Sequence, residues 1–233
     1  MNRMIALIRW ETTLQIRNGF LAATIFVTGF WMVILAQSTL DLRGLLPAML
    51  IGNLLLGTFY FVAGMVLLEL TERTIYAQAV TPLRLEHYLA AKIATLTALA
   101  LAESVIIAVM ARGWPFAPLP LIIGIVLASA IYCLCGFIAV VRYPSINAFL
   151  IPSGGYAAVL WIPLLTNSSG WSPWLTLWMP IGGPLTLVNA AFRPVDLWQI
   201  VAATFFSIGW IAVLLFWSCK AHQRWVLGYA RED

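Results

Sequence analysis

Long runs of apolar residues, each close to 20 residues and separated by short polar or proline-rich punctuation, set the layout of this chain. Phe20–Ser38, Leu45–Leu68, Leu89–Ala111, Leu121–Val141, Ala148–Thr166 and Leu197–Cys219 each reach the ~20 residues a helix needs to cross a bilayer. Ahead of them, residues 1–18 mix Arg3, Arg9, Glu11 and Arg17 with Met4, Leu7, Ile8 and Leu14. Arg9, Thr13 and Arg17 recur at helical spacing, giving a basic strip opposite Met4 and Ile8, while Glu11 and Gln15 interrupt the apolar face. The pattern predicts an interfacial helix under the inner headgroups; a slightly extended start to the first span is the alternative. Without a continuous apolar core or a small-residue cleavage site, it is expected to be retained.

Composition agrees with the pattern. The chain is 62% hydrophobic and 9% charged, with mean hydropathy +0.94, against about a quarter charged in soluble domains. This excludes a soluble domain. It also makes the formal charge of +4 a matter of membrane sides rather than of nucleic-acid binding. With six spans and both termini cytoplasmic, Arg3, Arg9, Arg17, Arg73, Arg84, Lys92, Arg142, Lys220, Arg224 and Arg231 fall inside, and only Arg43, Arg112 and Arg193 outside. That bias selects the orientation. Cys133, Cys135 and Cys219 form no disulfide framework or metal motif.

The longest polar interruption on the inner side runs from Glu69 to Lys92, with Glu72, Arg73, Gln78, Arg84, Glu86 and His87 between. Pro82 lacks a backbone donor and disfavours a helical Thr81, so the stretch reads as helix (Arg73–Ala79), break, then helix from Leu85. Thr74 and Ile75, then Val80-Thr81-Pro82-Leu83-Arg84, then Tyr88-Leu89 and Lys92 resemble the cytoplasmic segment that type-2 ABC transporter permeases carry between their second and third spans. The fluoroquinolone export permeases are the most similar of these. In that family the run reads Gly-Thr-Leu-Glu before the Val-Thr-Pro, whereas here Arg73 replaces the glycine and Tyr76 the glutamate. The order of apolar segments extends the resemblance over nearly the whole chain.

The resemblance implies an all-α integral membrane permease in one domain, residues 1–233. It has six transmembrane helices, the N-terminal interfacial helix, a cytoplasmic coupling helix within 69–88, and an outer re-entrant helical hairpin at 167–196. It implies that Glu72, Arg73, Thr74, Tyr76, Gln78, Thr81, Pro82, Leu83, Arg84 and Glu86 meet a separate ABC ATPase subunit. A second contact would come from Arg142, Tyr143, Ser145 and Asn147. ATP and Mg would bind that partner, and a second permease copy or sister permease would complete the path across the inner membrane.

The residues themselves supply further candidates. Asn53, Gly57, Tyr60 and Gly64 share a stripe on the second span, which is either helix packing or part of a transport route. Glu103 lies inside the third span, where a carboxylate costs about 2.5–3.5 kcal/mol on insertion scales, and either ties helices together or contacts cargo or a proton. Asn53, Glu103 and Ser129 all lie about eight residues (at ~1.5 Å each) from the outer ends of their spans, which predicts one polar layer. Pro152-Ser153-Gly154-Gly155 predicts a kink or break in the fifth span. Trp171, Trp174 and Trp178 repeat on one face and suit the headgroup boundary. No G-x-x-x-x-G-K-[ST] phosphate cradle, G-x-S-x-G elbow or metal-ligand cluster is present in the sequence, and His87 and His222 stand apart from any such cluster. The rival classes are an ion-coupled carrier using Glu103 and a non-transporting assembly factor.

Overall fold

The computed structural model describes residues 3–37, 45–72, 85–112, 116–168 and 173–229. All regular structure among them is helical: α1 (Arg3–Arg17), α2 (Phe20–Gln37), α3 (Leu46–Leu54), a π-helical segment (Leu55–Tyr60), α4 (Phe61–Thr71), α5 (Leu85–Arg112), α6 (Pro118–Val140), α7 (Ile146–Ser168), α8 (Pro173–Leu177), α9 (Gly182–Phe192) and α10 (Leu197–Tyr229). Five stretches are long and apolar enough to cross a membrane: Leu46–Thr71, Leu85–Ala111, Pro118–Val140, Ile146–Thr166 and Leu197–Arg224. Counting the bent pair α1–α2 makes six. The protein is a multi-pass membrane protein.

Between α1 and α2 the chain turns by 64°. Gly19 makes the corner with φ of 79°, a left-handed conformation in which a Cβ would be strained. Thus α1 lies off the axis of the first span. Arg9, Thr13 and Arg17 are exposed on it, and its covered face holds Glu11, Leu14 and Gln15.

The core is organised on α6, which packs against α4, α5, the π segment, α9 and α10. Small residues make that possible. A Cβ at Gly136 would stand 2.5 Å from Val62 Cγ1 and 2.7 Å from the Phe59 carbonyl oxygen, and one at Gly124 would stand 2.7 Å from Val188 Cγ2. Close approach of this kind is how apolar helices gain contact where lipid offers the same hydrophobicity as a neighbouring helix. By contrast α7 and α10 leave most of their apolar side chains uncovered, including Ile151, Val159, Val201 and Phe205.

Three expectations change. The fifth span is not broken: α7 runs continuously through Pro152 and Pro163. The Ser153 hydroxyl donates to the Leu150 carbonyl at 2.6 Å, occupying one acceptor in the turn that the proline disturbs. Gly154 and Gly155 face open space, so they mark no tight contact. The straight stripe on the second span is re-aimed by the π segment: Asn53 is buried near α2, Gly57 faces Glu103, and Gly64 faces the Phe20 ring. The sixth span continues as helix beyond Cys219 to Tyr229, so the basic residues Lys220 and Arg224 ride on α10 itself.

The hairpin formed by α8 and α9 is not flat. Trp174 stacks on Trp198 near the start of α10, with centroids 4.8 Å apart, and the Trp210 indole donates to the Trp178 carbonyl at 3.1 Å. Trp210 is about 20 Å further along α10 at 1.5 Å per residue, so α8 descends beside that helix. Gly183 then lets α9 press on α10, since a Cβ there would stand 2.3 Å from Ser207 Oγ and 2.6 Å from the Ala203 carbonyl oxygen. The return ends where the Ala117 amide donates to the Ala191 carbonyl at 2.9 Å. Trp178 therefore lies well down α10 rather than at its end; Trp171 lies outside the described residues. The packing makes a direct forecast: Gly136→Ala should cost about 1–3 kcal/mol through overpacking. Thermal unfolding in detergent should show the midpoint fall for Gly136→Ala and hold for Gly154→Ala.

Candidate functional site

Two buried polar centres stand out, one at the end of the bundle where segment 73–84 attaches and one within it. The first forms because α1, α4 and α5 each turn a polar side chain inward. Lys92, fully buried, points its Nζ at Glu69 Oε1 (2.6 Å) and Glu11 Oε2 (3.0 Å). Tyr88, one turn earlier on α5, donates its hydroxyl to the other Glu69 oxygen and sets its ring 4.7 Å under the same ammonium. Beside them the Gln15 amide donates to Thr95 Oγ1 at 2.8 Å. At the mouth, Arg17 reaches Glu72 at 3.7 Å, with both side chains about half exposed.

Chemically this is a lock. A lysine ammonium has three donors and no acceptor, and two carboxylates meet it from two other helices. Removing an ion pair from water costs several kcal/mol per ion, which only close, hydrogen-bonded partners offset. Helix α1 is thereby fixed to the two helices that flank segment 73–84. Sequence reasoning placed Glu69 and Lys92 on the exposed segment and treated Glu11 and Gln15 as defects in an apolar face. The structure instead buries all four. The signal was present as two polar stripes at helical spacing, Glu11/Gln15 and Tyr88/Lys92/Thr95, each on the covered side of its helix.

The second centre surrounds Glu103. It is 4% exposed, and the polar side chains of Asn53 and Thr28 lie beside its carboxyl, the Thr28 hydroxyl donating to the Thr24 carbonyl at 2.8 Å. Gly57 leaves the space: a Cβ there would stand 3.5 Å from Glu103 Oε2. Asn53 in turn accepts a hydrogen bond from the Trp31 indole at 3.1 Å. Trp31, Asn53 and Tyr60 also wall a cleft of about 490 Å³ with Leu56, Trp161 and Leu164, between α2, α3, the π segment and α7. Ser129 has a different partner, the Thr97 hydroxyl at 3.0 Å. Thr97 sits six residues before Glu103, about 9 Å along α5, so the structure joins Asn53 to Glu103 and leaves Ser129 in a separate pair.

Of the other sequence candidates, Glu86 is exposed on the first turn of α5. Arg73, Thr74, Tyr76, Gln78, Thr81, Pro82, Leu83 and Arg84 lie outside the described residues. In the α6–α7 connection, Arg142, Ser145 and Asn147 are exposed. Ser145 Oγ accepts from the Ala148 amide at 3.4 Å, and the Tyr143 and Tyr156 hydroxyls meet at 3.3 Å.

A model of the Fluoroquinolones export permease protein family matches residues 2–230. The chain belongs to that family. Two relatives from Mycobacterium tuberculosis, strains CDC 1551 / Oshkosh and ATCC 25618 / H37Rv, both named Fluoroquinolones export permease protein, are 36% identical over 212 residues. The match covers 89% of this chain and 90% of each relative. No solved structure matches significantly. In this permease the ionic lock holds α1 to the second and third spans at the end where segment 73–84 attaches, and the cleft opens beside the polar centre inside the bundle.

The lock gives a testable asymmetry. Lys92→Met leaves two buried carboxylates without their cation and should destabilise the permease by about 3–5 kcal/mol. The combined Glu11→Gln, Glu69→Gln, Lys92→Met chain removes every charge and should recover most of that loss. Thermal unfolding of both in detergent tests it.

Proposed function

We propose that this permease is the membrane-spanning subunit of an ATP-driven exporter, and that a separate ABC ATPase subunit binds ATP and Mg. Membership of an export permease family across residues 2–230 carries the reading. Its support in the chain is the placement of segment 73–84 between α4 and α5, together with a sequence that contains no phosphate cradle of its own. The segment bearing Arg73, Thr74, Tyr76, Gln78, Thr81, Pro82, Leu83 and Arg84, with Glu72 and Glu86 at its ends, is the docking surface for that ATPase. Arg142, Tyr143, Ser145 and Asn147 make the second contact. Both termini face the cytoplasm across the inner membrane, and the α8–α9 hairpin re-enters from the outer side.

Two such bundles, as a homodimer or with a sister permease, face each other and enclose the path. Cargo is amphipathic or lipid-like, matching a cleft whose walls are chiefly apolar and aromatic. Closure of the ATPase pair on ATP presses segment 73–84. The locked α1, α4 and α5 then move as one body, and the free energy comes from the tighter binding of nucleotide to one of the two states.

Affinity purification in mild detergent is expected to recover a subunit carrying a phosphate-cradle motif. In the reconstituted complex, replacing Thr81-Pro82 by Ala-Ala is expected to leave basal ATP turnover in place and abolish its stimulation by cargo. Recovery of no such subunit, or stimulation unchanged by the replacement, contradicts the assignment.

A further inference from the structure

The carboxyl of Glu103 is incompletely satisfied. Its Oε1 is buried and has no hydrogen-bond partner among the described residues, and the side chains beside the group, Asn53 and Thr28, are neutral. Among the described residues no lysine or arginine forms an ion pair with it. Lys92, on the same helix, is eleven residues away, about 16 Å along the axis, and is held by Glu11 and Glu69. The lock shows how this chain treats a buried charge it means to keep: it gives that charge partners on two sides. Glu103 has the depth and the burial but lacks the cation.

Its position relative to the cleft says where a cation would come from. Asn53 is shared, touching the Glu103 carboxyl on one side and walling the cleft on the other. The Trp31 indole that holds Asn53 also lines the cleft, and so does Tyr60. An organic cation lying in the cleft would have aromatic faces beside it, and Asn53 is the cleft-lining residue that also neighbours the carboxyl. On its other side the carboxyl meets the π segment at Gly57, where an added Cβ would stand 3.5 Å from Oε2. A tie between helices requires neither the orphaned oxygen nor the adjoining cleft.

We propose that Glu103, reached by displacement of Asn53 from the Trp31 indole, is the recognition group for the protonated amine of an amphipathic aromatic cargo bound in the cleft. This rests on the reading of the chain as a permease whose cargo occupies that cleft, and adds the charge that such cargo must carry. Thr28 and Asn53 then orient the carboxylate, and the aromatic walls hold the apolar body of the ligand. A single charge-assisted contact in a desolvated site is worth roughly tenfold or more in affinity.

The test uses the full chain in lipid nanodiscs and equilibrium dialysis with two probes sharing one aromatic body: ciprofloxacin, whose piperazine amine is protonated, and N-acetylciprofloxacin, whose corresponding nitrogen is neutral. Expected is at least a roughly tenfold preference for the amine in the unaltered chain, lost in Glu103→Gln, whose affinity for the acetylated probe is unchanged. Equal affinity of the unaltered chain for both probes overturns the amine site while leaving the cleft as a cargo path. So does an undiminished preference in Glu103→Gln. Binding of neither probe overturns the cargo-path reading and this proposal together. Should Glu103→Gln fail to assemble, the paired probes on the unaltered chain decide the question alone.

Discussion

A lysine ammonium buried between three helices is the constraint on which the arrangement of this permease depends. Lys92 cannot face hydrocarbon, and it cannot retract to water without unwinding the start of α5. Glu69 alone would satisfy part of its bonding capacity. Glu11 supplies more, and it does so from α1. Electrostatics therefore decides where α1 sits, and with it the angle at which the first span begins. The Gln15–Thr95 and Arg17–Glu72 contacts extend the same seam by one turn in each direction. Of these the exposed Arg17–Glu72 pair contributes least, because water screens it.

The rest of the bundle is joined by a different kind of force. Around α6 there are few strong polar ties, and the helices meet by shape: Gly124 against α9, Gly136 against the π segment and α4, Gly183 against α10. Such contacts demand close backbone approach and offer no alternative geometry, so they suit a rigid body. α7 and α10 stand at the periphery with broad apolar faces, while α1, α4 and α5 are bolted together by charge. A load applied between α4 and α5 would consequently be carried by α1 into the first span rather than dissipated at a flexible joint. Within that frame the cleft beside Asn53 lies between α2, α3, the π segment and the peripheral α7.

Much of this was legible in the amino-acid order. Apolar runs near the length of a bilayer announce spans whatever their neighbours do. Counting depth put Asn53 and Glu103 together, and they do meet. Ser129 had the same depth, but its helix turns it toward Thr97, a matter of rotation about the axis that depth cannot express. Non-local facts were harder to see. Glu11 reads as a blemish until Lys92, 81 positions later, is known to lie opposite. The packing of α8–α9 along α10 depends on Gly183 finding Ser207, and the hairpin's tryptophans alone suggested a surface position. The π segment leaves little trace in its residues, yet it redirects the whole second-span stripe. Segment 73–84, on which the resemblance to ABC permeases was built, lies outside the described residues, and its role rests on family membership and placement.

The carboxyl at Glu103 and the lock at Lys92 illustrate one rule with opposite outcomes. Both are charges within apolar helices; one is fully partnered inside the chain, and the other keeps a buried oxygen without a hydrogen-bond partner among the described residues. The partnered charge fixes the scaffold, and the account as a whole rests on that fixation. It is tested most directly by the distance between α1 and α5 in the native membrane. In a chain whose Cys133, Cys135 and Cys219 are replaced by Ala or Ser, Gln15→Cys and Thr95→Cys should form a disulfide rapidly under mild oxidation in isolated membranes. The pair Thr13→Cys and Thr95→Cys, in which Thr13 is exposed on the opposite side of α1, should not. Failure of the 15–95 pair to cross-link, or equal cross-linking of both pairs, would mean that α1 is not held against α5 and that the ionic lock does not organise the protein.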